Sequence, residues 1–273
     1  MNTIIKLSSP ATHEFWEIPV LFEDAHLLAL DKPSCLLTSP AREDLARPNL
    51  MTLMHAAIAA GKPWARERSL TYLSHSHRLD SEATGIILLA KSKPVLVALA
   101  NWFSLEEPGR KFLALVHGTP AEDRFQVNAK LAPHPVMSRE TWVDPRNGKH
   151  AQTRFEVLEK FPRHTLLQCE PLTARPHQIR VHLQNAGLRI VGDELYGGKP
   201  LWLSRLKKDY RLKPGKEERP LMARVALHAE QLTLPHPITG ATVAITAPWP
   251  KDLKVAIKYL RLYSSPPPAS YEL

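Results

Sequence analysis

The sequence predicts an α+β fold, a mixed and largely antiparallel sheet with flanking helices. Three observations predict it. Short apolar or alternating runs bounded by turn residues recur along the chain. Only a few stretches between them carry the spacing of an amphipathic helix. One short run, Ile86-Ile87-Leu88-Leu89-Ala90, is apolar throughout, as a strand buried on both faces would be. Strands therefore outnumber the helices that a doubly wound parallel sheet needs, and no internal repeat is evident.

Residues 1–17 read as a loose leader. Val20 to Leu30 reads as two strands around a polar turn, and Pro33 ends the second strand. Asn49 suits an N-cap and Gly61 a C-terminal cap. Between them Leu50, Leu53, Met54, Ala57 and Ile58 recur at helical spacing. Ser92, with Pro94 in the first turn, opens a second helix whose stripe is Val95, Leu99, Trp102 and Phe103. Arg110 to Gly118 is a strand. Lys149 to Leu158 alternates like a half-buried strand, with Thr165 to Cys169 as its antiparallel neighbour. Arg175 to Gly187 fits a short helix, with His177 and Arg180 three apart on one face. Ile190 to Gly198 is glycine-rich and turn-like. Leu227 opens a further strand region ending near Trp249, and Asp252 to Tyr263 is a terminal helix. Residues 264–273, with three consecutive prolines, read as a flexible tail. The main body is expected over 18–263.

At 273 residues and 44% hydrophobic content, the chain can build a proper core. No run approaches the roughly 18 apolar residues of a membrane span, and no secretion signal opens the chain, so a cytoplasmic location is expected. The two cysteines, Cys35 and Cys169, are expected as reduced, buried thiols. Net charge is +9 and the pI about 9.6, which permits an RNA partner without requiring one. Between Lys199 and Arg224 stand nine Lys/Arg against three Asp/Glu, so most of the surplus lies in one segment. That segment suits either phosphate contacts or a solvated loop.

The chemistry-bearing stretch is His77-Arg78-Leu79-Asp80-Ser81-Glu82-Ala83-Thr84-Gly85, followed at once by the apolar run and Lys91. A polar cluster on a loop anchored to a core strand is where chemistry is usually placed. The second constellation is His177-Gln178-Ile179-Arg180-Val181-His182-Leu183. Glycoside hydrolysis uses two opposed carboxylates; Glu82 stands only two residues from Asp80, and a loop leaves open whether the two share a face. Neither a Gly-x-Ser-x-Gly elbow nor a phosphate-binding Gly-x-x-x-x-Gly-Lys-Ser/Thr loop occurs. The histidines lack a zinc-binding pattern, so no metal is expected.

These blocks resemble the RluA-type RNA pseudouridine synthases. The resemblance spans roughly Ile18 to Trp249. It includes Glu23-Asp24, Lys32-Pro33, His77 to Lys91, Leu113 to Gly118, Lys149 with Ala151 and Thr153, His177 to Leu183, Gly192-Asp193 through Tyr196-Gly197, and Leu227-His228-Ala229. It implies an antiparallel sheet crossed by a central active-site cleft, and isomerisation of uridine to pseudouridine in structured RNA without metal or organic cofactor. By position, Asp80 would be the essential catalytic carboxylate, and Arg180 looks like the residue that orients it through a bidentate ion pair. Arg78 resembles the residue that fills the gap left by the flipped uridine. His77, Phe112, Ile179 and Leu183 would contact the substrate. The implied partner is a stem-loop of ribosomal or transfer RNA, bound by a monomer, with no DNA and no membrane.

The chain also departs from the family pattern. Ala83-Thr84 replaces the usual Thr-Ser, and Phe112 replaces a tyrosine, keeping a stacking ring but losing a hydroxyl. Cys35 and Ala174 stand where glycine is usual, and Pro176 where threonine is. The departures leave an alternative of another class, a catalytically idle RNA-binding relative. The paired presence of Asp80 and Arg180 argues for an enzyme.

Overall fold

The computed structural model describes residues 3–41, 46–137, 139–212 and 215–263, so the tail expected over 264–273 lies outside the described residues. In chain order the strands are β1 (Ile4–Ser8), β2 (Phe15–Glu23), β3 (Leu27–Lys32), β4 (Ser74–His75), β5 (Thr84–Ala90), β6 (Gly109–His117), β7 (Arg124–Pro133), β8 (Thr141–Val143), β9 (Lys149–Phe161), β10 (His164–Pro171), β11 (Leu227–Pro235) and β12 (Thr242–Thr246). The helices are α1 (Leu50–Ala59), α2 (Pro63–Arg66), α3 (Lys93–Ser104), α4 (Gln178–Asn185), α5 (Leu203–Leu206) and α6 (Lys251–Tyr263). The chain divides into two units, Met1–Phe112 with His228–Pro248, and Leu113–Leu227 with Trp249–Leu273.

In the first unit the strands lie in the order β1-β2-β3-β5-β11, with β4 also on β5 and β12 on β11. All pair antiparallel except β5 with β11, which are parallel, so the sheet is mixed as expected. Strand alternation explains why β5 is apolar throughout. Ile87 and Leu89 face a core with α1 and Trp64, while Ile86, Leu88 and Ala90 face another with α3, Leu232 and Ile245. The caps stand where the sequence put them. Asn49 accepts a hydrogen bond from Thr52 N–H at 2.9 Å, and Gly61 follows α1 with φ +60°.

The expected leader is a correction. Residues 4–8 form β1, pairing with β2, with Ile5 opposite Ile18 and both wholly buried. Ile5 and Leu7 alternate inward, but a five-residue strand shows too little pattern by itself to be read as one. At the β2–β3 turn, Asp24 Oδ1 accepts from the N–H groups of His26 and Leu27, both at 2.7 Å.

Glu23, beside that turn, joins two cations: Arg68 Nε at 3.0 Å and Lys91 Nζ at 2.7 Å. Their side chains are 1% and 11% exposed, against 13% for Glu23. Removing one partner of such a buried group leaves charge uncompensated, at a cost of about 3–5 kcal/mol. Glu23→Ala is expected to lose stability on that scale in urea unfolding. A midpoint shift worth under about 1 kcal/mol would show the pairs behave as surface ion pairs.

In the second unit the strands run β6-β10-β9-β7-β8. The pairs β10–β9, β9–β7 and β7–β8 are antiparallel. Helix α4 lies over this sheet, with Val181 packing beside Leu131, Ala151 and Tyr196. Among the described residues no helix is long and apolar enough to cross a membrane. Both cysteines are free, but only Cys169 is buried, where desolvation pushes its thiol up; Cys35 is exposed, against expectation.

Candidate active site

The loop bearing Asp80 is held from beneath by two side chains of the first unit. Lys32, at the end of β3, has no exposed surface, yet it carries an ammonium group. Its Nζ donates to the carbonyls of Pro33 and Leu36, each at 2.8 Å, and to Ser81 O at 3.2 Å. A buried cation persists only where such dipoles replace its water. Thr38 Oγ1 meets both the carbonyl and the N–H of Leu79, at 3.2 and 3.3 Å. Ala83 N–H closes the turn onto Asp80 O at 3.2 Å. The backbone is therefore fixed on either side of Asp80, whose own side chain is half-buried between buried Leu79 and Ser81. That is the preorganisation a reacting group needs.

The glycine of this motif has a steric cause. Gly85 has φ +109°, and a Cβ there would lie 2.2 Å from Ala229 O, across the parallel β5–β11 pair. One residue back, Thr84 Oγ1 and His228 Nδ1 are hydrogen-bonded at 2.9 Å. Lys32-Pro33, the Asp80 loop and His228-Ala229 are far apart in sequence and adjacent here. Cys35 adopts φ +63°, the left-handed region, which accounts for glycine being usual at that place.

His77 is tied to the sheet beneath the loop. Leu88 N–H donates to its Nε2 at 3.1 Å, and its ring stacks on Phe103 with centroids 4.7 Å apart. Burial, reinforced by Arg110 and His75, pushes the imidazole down to about 3, so it is neutral at physiological pH. Its geometry makes it an anchor of the loop. Arg78 is exposed, and Phe112 is half-buried within β6.

The second unit presents Arg180 on α4. Its guanidinium is 2% exposed and makes a two-point pair with Asp193, Nε to Oδ2 at 2.8 Å and Nη2 to Oδ1 at 2.7 Å. The turn-like reading of 190–198 gave Asp193 no role, and the structure makes it a two-point partner of Arg180. Tyr196 lies under the guanidinium at 4.9 Å, and its hydroxyl meets His177 Nδ1 at 2.8 Å and the backbone of Thr141. Gly192 lets this turn approach: a Cβ would sit 2.1 Å from Arg224 O, and φ is +74°.

Gln178 fixes the start of α4. Its Oε1 accepts from Thr173 Oγ1 at 2.7 Å and Arg175 N–H at 3.1 Å. Its Nε2 donates to Gln152 O at 3.0 Å and Thr153 Oγ1 at 2.9 Å. The amide's two donors and both acceptor sites are filled. Ile179 is 6% exposed and Leu183 not at all. Several cations of the 199–224 segment have internal partners. Arg224 forms a two-point pair with Asp252, and Lys207 lies over Tyr263. Among the described residues, no group of three His, Cys, Asp or Glu side chains stands where it could hold a metal ion.

The first unit holds a loop fixed on either side of a half-buried carboxylate, and the second a buried arginine with a two-point partner. The family described as RNA pseudouridylate synthase matches residues 26–185, and the chain belongs to that family. Ribosomal large subunit pseudouridine synthase D of Nitrosomonas europaea is 35% identical over 92% of this chain and 68% of its own length. Ribosomal large subunit pseudouridine synthase C of Vibrio vulnificus is 35% identical over 89% of this chain and 69% of its own. The solved structure of human RNA pseudouridylate synthase domain containing 4 shares the fold, with TM-score 0.65 at 21% identity, covering 89% of this chain and 92% of that one.

Proposed function

We propose that this chain isomerises uridine to pseudouridine in ribosomal RNA, with Asp80 as its essential carboxylate. The observation that carries the reading is the Asp80 loop, pinned by Lys32 and Thr38 so that one half-buried carboxylate is presented on a rigid base. The names of the relatives, both enzymes of the large ribosomal subunit, support ribosomal RNA as the substrate.

The reaction balances without a cofactor. The bond from C1′ to N1 breaks, the base turns, C1′ bonds to C5, and the proton of C5 is replaced by one on N1. Asp80 attacks the uridine or assists departure of the base. Arg180, held through Nε and Nη2 by Asp193, is the cation assigned to orient the reacting acid. Stacked uridines are out of reach, so the nucleotide flips out, Arg78 fills the space it leaves, and Phe112 offers a ring for stacking.

The test is to incubate the purified chain with unmodified ribosomal RNA and, separately, transfer RNA, and to digest both for nucleoside mass spectrometry. Pseudouridine is expected in the ribosomal RNA. Product in transfer RNA alone would move the substrate assignment. RNA binding with product in neither would identify an idle relative.

A further inference from the structure

Three stretches of the second unit converge on one basic patch. β6 ends at His117, the β9–β10 turn carries Arg163 with His164 opening β10, and the turn around Asp193 is flanked by Arg189 and Lys199. The backbone fixes the convergence. His117 N–H donates to Arg189 O at 2.8 Å, Gly118 N–H to Arg163 O at 2.9 Å, and Gly192 N–H to Lys199 O at 2.9 Å. His117 Nε2 lies 2.9 Å from Lys199 O, and the His117 and His164 rings are 5.0 Å apart. The Arg189 side chain lies over Gly197, where a Cβ would meet its Nε at 3.2 Å.

Some exposed cations of this unit are neutralised by a carboxylate. Arg124 pairs with Glu156, Lys160 with Asp123, and Arg261 with Glu159. Arg163, Arg189 and Lys199 are exposed, and among the described residues none of them makes an ion pair. The charged neighbours acting on His117 are Lys199 and Arg189, and on His164 Arg163; none is an acid. Burial, the largest cause, and these cations lower both imidazoles, His164 to about 4. At neutral pH the patch therefore holds three fixed positive charges around two neutral rings. Three like charges brought together by backbone hydrogen bonds suit an anion.

We propose that Arg163, Arg189 and Lys199 hold one backbone phosphate of the RNA substrate. This rests on the RNA-modifying reading above. The site has a mechanical link to the chemistry, because Gly198 N–H donates to Asp193 O at 2.7 Å within the turn whose Asp193 grips Arg180. A phosphate docked on this turn fixes the strand relative to the arginine without reading its sequence.

The experiment measures binding of a ribosomal RNA fragment across a salt series. It compares wild type, the Arg189→Ala/Lys199→Ala double variant, and Lys254→Ala/Lys258→Ala. The last removes the same charge from exposed positions on α6. The patch variant is expected to bind roughly tenfold more weakly at low salt, equally for unrelated sequences, with a salt slope lower by about 1. The α6 variant should keep the wild-type slope. Equal affinities and slopes for the two double variants would overturn the proposal. If wild type binds with a salt slope but forms no pseudouridine, the catalytic reading fails while the slope comparison still judges the patch. RNA binding by wild type that ignores salt would remove both.

Discussion

Asp80→Asn is expected to lower pseudouridine formation by roughly four orders of magnitude, the scale seen when an essential catalytic group is removed. The fold should survive, because asparagine is nearly isosteric and the backbone on either side, at Leu79 and Ser81, is held by Thr38 and Lys32. Unfolding should shift by less than about 1 kcal/mol, as for a substitution that disturbs no buried packing. RNA affinity should stay within a fewfold of wild type. Single-turnover formation of pseudouridine, with RNA saturating, separates these effects. A variant that retains the wild-type rate would remove Asp80 from the chemistry.

The second large effect is expected at Asp193. Its side chain is 1% exposed and engages two nitrogens of Arg180, itself 2% exposed. Asp193→Ala removes the counter-charge held at Nε and Nη2 of a buried guanidinium, which costs about 3–5 kcal/mol. It also frees the Arg180 side chain to turn, so activity should fall further than the loss of folded protein explains. Asp193→Asn keeps an acceptor for one of the two bonds and should fold better. Its turnover at a temperature where it is fully folded is then the informative number. Wild-type turnover there would mean that the Asp193 pair supports the fold and has no part in aiming Arg180.

Much of the first unit was legible in the sequence because its signals are local. The Asn49 and Gly61 caps, the stripe of α3 and the unbroken apolar run of β5 each follow from residues within a dozen positions. The alternation of β9 was equally plain. β1 was missed because Ile5 and Leu7 are two inward residues in a short strand, and only pairing with Ile18 gives them meaning. β7 carries Phe125, Val127, Ala129 and Leu131 in alternation, yet its intervening polar residues led it to be passed over.

The site was legible as a list of residue types and not as an arrangement. Asp80 and Arg180 stood out through their motifs. That Arg180 gives its fork to Asp193, that Lys32 is a buried clamp, and that His77 anchors the loop through Leu88 depend on tertiary approach. Gly85 and Gly192 could be noticed in the sequence, but the reason for them lies in the carbonyls of Ala229 and Arg224, which press against them.

The central claim is most directly tested by mapping pseudouridine at single-nucleotide resolution in ribosomal RNA. The RNA comes from cells carrying this gene, cells lacking it, and cells carrying the Asp80→Asn allele. At least one modified uridine is expected with the wild-type gene, absent from the deletion and not restored by the Asp80→Asn allele. An identical map in all three strains, or full restoration by the Asp80→Asn allele, would contradict the account.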